Sequence, residues 1–77
     1  MDAGKTGAYL AALRKARGMT QQEAADQLGV SNKTVSKWEN GAGLPDITVL
    51  PALAELYGVT ADDILAGETL RGLSLIH

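Results

Sequence analysis

The run TQQEAADQLGVSNKTVSKWENG, residues 20–41, decides the fold. It opens with Thr20-Gln21-Gln22-Glu23. This is the pattern of a helix start in which the Thr20 hydroxyl accepts from the residue-23 amide and the Glu23 carboxylate reaches back. Ala24, Ala25 and Leu28 recur at helical spacing and give this helix an inner face. Gly29 ends it. Ser31 then caps a further helix that continues through Glu39, with Val35 and Trp38 three residues apart and facing inward. Asn32, Lys33, Ser36 and Lys37 face outward, and Asn40-Gly41 breaks the helix. Two helices crossing through the short link Leu28-Gly29-Val30-Ser31 need a small residue where they touch. They also need a glycine in the turn and an aliphatic residue packing back. Ala25, Gly29 and Val35 supply the three. Each alone means little; together, with Thr20-Gln21 before and Trp38-Glu39-Asn40-Gly41 after, they are specific.

Outward from this run the chain reads as more short helices. Toward the N-terminus a helix runs roughly from Thr6 to Arg17, with Tyr9, Leu10 and Leu13 on one face, and Gly18 ends it. Toward the C-terminus, Val49 to Tyr57 forms a fourth helix closed by Gly58. Its start is open. A cap at Asp46 places Pro51 beyond the first turn, where its missing N–H costs a hydrogen bond; a cap at Thr48 places it inside the first turn; a distorted first turn is the third option. Thr60 caps a fifth helix of one to two turns holding Ile64 and Leu65, with Gly67 after it. No segment alternates apolar and polar residues as a strand does, and Phe is absent. The expectation is all-α, a five-helix domain over residues 1–67. The remainder, 68–77, is a tail whose Leu70, Leu73, Leu75 and Ile76 suit packing on the bundle or dimerisation.

Composition narrows the function. Seventy-seven residues make a single domain, and one this short buries only about 60% of the surface its unfolded chain exposes. There is no cysteine, and the one histidine is His77. Disulfides, metal sites and the usual nucleophile–base pairs therefore lack their members, so no enzyme, metal or cofactor is expected. No apolar stretch is long enough to span a membrane, and Met1-Asp2-Ala3-Gly4-Lys5 lacks the order of a secretion signal, so a cytoplasmic protein is expected. The net charge of −2 hides an asymmetry. Residues 1–44 carry six basic side chains against four acidic, and residues 45–77 one against five. A phosphate-facing side needs only local positive charge, although ordinary scatter in a small protein gives the same totals.

These residues carry a family resemblance. Leu13-Arg14-Lys15, Gly18 to Ala25, Leu28 to Ser31 and Val35 to Gly41 look like the lambda-repressor-like (Xre-type) helix-turn-helix domain. Leu44-Pro45-Asp46, Leu53-Ala54, Tyr57-Gly58-Val59 and Asp62 to Gly67 match that family's fourth and fifth helices. The resemblance covers about residues 4–67 and implies a five-helix bundle that binds operator double-stranded DNA as a homodimer, with transcriptional regulation of the repressor kind as its task. Ala24 departs from the family's usual Leu, leaving core volume for neighbours such as Met19; Ala42 stands where many members carry a basic residue.

The family's roles extend only to matching positions. Gln21 resembles the glutamine that bonds a phosphate, beside the free N–H groups of its helix start. Ser31, Asn32, Lys33, Thr34 and Lys37 occupy the part of helix three that enters the major groove. Asn suits adenine, Lys suits guanine, and Thr34 suits a thymine methyl or a phosphate. Asn40, with Gly41, is expected to present backbone N–H groups to a phosphate, and Arg14–Glu39 to form an ion pair. Lys5 and Arg17 are weaker phosphate candidates. A plainly solvated face, with Ser31 only a cap and Gln21 only an exposed helix former, accounts for the same residues. The competing functional reading is a protein-interaction module, such as an antitoxin or adaptor, that kept the fold.

Overall fold

A computed structural model describes residues 2–70; Leu73, Leu75 and Ile76 of the apolar tail lie outside that range. Five helices follow one another: α1 Ala3–Ala16, α2 Gln21–Leu28, α3 Asn32–Glu39, α4 Leu50–Tyr57 and α5 Ala61–Ala66. No strand occurs among the described residues. α1 packs on α3 and α5, α2 on α3 and α4, and α4 on α5.

Local chemistry sets most boundaries. Thr20, Ser31 and Thr60 each accept from the amide three residues on, and Thr20–Glu23 and Thr60–Asp63 both close the reciprocal box. One helix start differs from the sequence reading, and the start of α4, left open there, is decided by the structure. α1 begins at Ala3, not near Thr6, because the Asp2 carboxylate accepts from the Lys5 amide at 3.0 Å. α4 has no side-chain cap from Asp46 or Thr48; a turn closed by the Val49 amide on the Asp46 carbonyl at 2.9 Å leads into Leu50. Pro51 thereby falls in the first turn, where an N–H has no partner to lose.

The core gathers Leu10, Ala25, Val35, Trp38, Leu50, Leu53, Tyr57 and Ile64 from all five helices. Ala24 is fully buried, and Met19 packs at the edge of the cluster. α1 comes so close to the end of α3 that a Cβ at Gly7 would fall on the Trp38 carbonyl oxygen and stand 3.0 Å from that of Glu39. The buried Thr6 hydroxyl donates to the Ile64 carbonyl at 2.9 Å, tying α1 to α5. Residues 68–70 are fastened to the same two helices. Tyr9 and Thr69 share a hydroxyl hydrogen bond at 2.8 Å, and the Leu70 amide donates to Asp63 Oδ1 at 2.9 Å.

Candidate nucleic-acid interface

The turn between α2 and α3 presents one face of α3 to solvent. Gly29 takes the left-handed conformation (φ 71°, ψ 29°) that a Cβ disfavours, and the Val30 amide closes the turn on the Ala25 carbonyl at 3.0 Å. Ser31 Oγ accepts from the Thr34 amide at 3.1 Å and shares a second hydrogen bond with the Thr34 hydroxyl at 2.8 Å. With Val35 and Trp38 buried, Ser31, Asn32, Lys33, Lys37 and Asn40 stand exposed, while Ser36, expected outward, is half-buried. Thr34 is half-buried and lines a cleft with Val30, Trp38 and the loop 44–49, so it sits at the edge of this face.

The charges of α3 are sorted by side. Its one carboxylate, Glu39, turns inward to Arg14, with bonds of 2.7 Å from Nε and 3.0 Å from Nη2. The two side chains are 11% and 5% exposed, so the pair sits where water screens little. Arg14 also donates to the Met19 carbonyl at 2.7 Å, which fixes the loop before α2. The Glu39 hydrogen bond raises the Arg14 pKa, against the opposing effect of burial. The cations Lys33 and Lys37 remain on the exposed side.

Two sequence expectations change in detail. Gln21, half-buried at the start of α2, donates Nε2 to Glu39 Oε1 at 3.0 Å, so it belongs to the Arg14–Glu39 network as well as to the surface. Its second amide hydrogen and the backbone N–H groups of Gln21 and Gln22 are left as donors at this helix start, the Glu23 amide being taken by Thr20. The backbone amides of Asn40 and Gly41 do not point outward. They bond the Ser36 and Trp38 carbonyls at 2.9 and 3.1 Å, and the Ala42 amide follows on Lys37 at 3.0 Å, completing the end of α3. An Asn40 contact therefore rests on its side chain, whose Nδ2 leans on Ser36 Oγ at 3.3 Å. Lys5 is engaged with Glu68 at 3.2 Å.

Sequence reasoning passed over Gly7 and Gly43 and took Thr6 only as a helix start. Gly7 carried a signal, an isolated glycine inside a helical pattern. Thr6 and Gly43 carried none, because their partners are distant in sequence or lie on another element.

Comparison with known proteins agrees with this geometry. A helix-turn-helix family profile matches residues 10–64. Over 62 residues the chain is 41% identical to the HTH-type transcriptional activator BcrR of Enterococcus faecalis, covering 80% of this chain and 30% of that protein. It is 36% identical over 55 residues to the cryptic phage CTXphi transcriptional repressor RstR of Vibrio cholerae, covering 71% of this chain and 49% of the relative. The fold superposes on the restriction-modification controller protein C.AhdI from Aeromonas hydrophila with a TM-score of 0.75 at 25% identity, covering 82% of this chain and 96% of that one. The clp gene regulator ClgR from Corynebacterium glutamicum gives 0.77 at 25% identity over 87% and 71%.

Proposed function

Because the chain belongs to the helix-turn-helix family, we propose that it binds double-stranded DNA sequence-specifically and regulates transcription, with α3 in the major groove. One observation carries the reading. α3 keeps its only carboxylate inside, bonded to Arg14, and turns Asn32, Lys33, Lys37 and Asn40 outward together. A face of amide and ammonium donors without an acid suits base edges and phosphates and would repel neither. Ser31 and Thr34 flank it, and Gln21 with the α2 N-terminus supplies phosphate donors.

The reading extends to a homodimer. α3 has eight residues and spans about 12 Å, a third of a DNA turn, which is too short to define a unique site. Two copies about 34 Å apart on one face of a palindrome double the readout. No helix among the described residues is long and apolar enough to cross a membrane, and the proposed compartment is the cytoplasm, where the DNA is.

Selection of bound sequences from a random duplex pool, followed by titration of the recovered duplex over salt, tests the proposal. Affinity is expected to fall linearly with salt on a log–log plot, because Lys33 and Lys37 displace counterions. No duplex binding at low salt would leave the fold as a protein-interaction module.

A further inference from the structure

We propose that Gly43, in the loop after α3, is a specificity-determining positioning residue that sets where Lys37 delivers its ammonium. The inference rests on the DNA-binding reading above.

Gly43 has an ordinary backbone: its φ lies outside the left-handed region, unlike the φ of 74° at Gly41. Nothing in the chain path therefore demands glycine there. What lies against it is a side chain. A Cβ at Gly43 would meet Cε of Lys37 at 3.0 Å, Cδ at 3.5 Å and Cγ at 3.5 Å, and these are the three nearest atoms. The loop is brought back over Lys37 by the Ala42 amide, which donates to the Lys37 carbonyl at 3.0 Å. The lysine stem is thus laid along the bare backbone of residue 43.

A lysine stem is otherwise free to rotate about four bonds, and holding it in one direction costs side-chain entropy. Gly43, having no Cβ, leaves room for the methylenes against its backbone. The three atoms nearest an added methyl all belong to Lys37, and the far end of a flexible side chain yields easily. The consequence is local: the backbone stays, the total charge stays, and the ammonium is displaced from its direction. Uniform phosphate attraction survives such a displacement, whereas a directed contact to a base edge does not.

The test is a double-mutant cycle on the full chain with Gly43→Ala and Lys37→Ala, read on the selected duplex and on its single-base variants. Lys37→Ala is expected to reduce preference at one operator position by about 5- to 150-fold. Gly43→Ala is expected to reduce preference at that same position, with the salt slope and thermal stability retained. In the Lys37→Ala background it is expected to do nothing further, a coupling of about twofold or more. Equal effects of Gly43→Ala in both backgrounds, or a loss spread over all positions, overturn the role of Gly43 while leaving DNA binding intact. A wild-type chain that binds no duplex overturns the DNA-binding reading itself, and the inference with it.

Discussion

Gly7→Ala should destabilise the domain although alanine is the better helix former. In the interior of an exposed helix the exchange favours alanine by about 0.8–1.0 kcal/mol. At residue 7 the new methyl would fall on the Trp38 carbonyl oxygen, 3.0 Å from the Glu39 oxygen and 3.1 Å from the Glu39 carbon. All three are backbone atoms, and the Trp38 carbonyl is held by the Gly41 amide at the end of α3, so no side chain can swing away. Overpacking of a rigid site costs about 1–3 kcal/mol, and this one stands at the upper end because α1 must withdraw from α3 as a whole. After subtracting the propensity gain, a net loss of about 2 kcal/mol remains, a fall in Tm of roughly 8–16 °C for a domain of this size. Gly4→Ala is the matched control on the same helix. A Cβ there meets only Asp2 Oδ1 at 3.4 Å, and the variant should be as stable as the parent or slightly more so. Thermal and urea unfolding of the three proteins measure both effects. Gly7→Ala at least as stable as Gly4→Ala would refute the close α1–α3 contact on which the placement of α3 depends.

Other substitutions address the electrostatics. Glu39→Ala strands the Arg14 guanidinium, 11% exposed, and removes the Gln21 partner. The expected loss is about 3–5 kcal/mol in urea unfolding, and an Arg14→Met, Glu39→Ala double variant should lose less than the sum of the singles. Tyr57 has its pKa raised first by burial and then by Glu39, against a lowering by Arg14. A raised folded-state pKa means that the neutral phenol is favoured on folding. Its contribution is full below the unfolded value of about 10 and is lost as pH climbs through the folded one. Unfolding midpoints followed from pH 9 upward should therefore fall more steeply for the parent than for Tyr57→Phe; parallel curves would show that Tyr57 ionises unhindered.

The parts of this fold visible in the sequence are those fixed by neighbours along the chain. The Thr20–Glu23 box, the Ser31 cap, the Gly29 turn and the inward pair Val35–Trp38 all lie within four residues of their partners, and each stands in the structure as read. The Arg14–Glu39 pair spans 25 residues and came only through the family resemblance. What stayed hidden depends on contacts between elements. α1 begins early because Asp2, a single cap without a reciprocal partner, outweighs two glycines in the helix it starts. The start of α4 is set by a backbone turn, which no side chain announces. The exposed donors of α3 were legible from helical periodicity. The outward amides expected of Asn40 and Gly41 were not there, because the end of α3 satisfies them internally. Gln21 likewise has two environments, since α2 starts beside Glu39.

The central claim is that the exposed face of α3 is the surface that meets DNA. Amide chemical shifts of the full chain, followed while the selected duplex is added in low salt, test it most directly. The account predicts the largest changes at Asn32, Lys33 and Lys37, with a second group at Gln21 and Gln22, and little at α5. Changes centred on α4 and α5, with α3 unmoved, would contradict it.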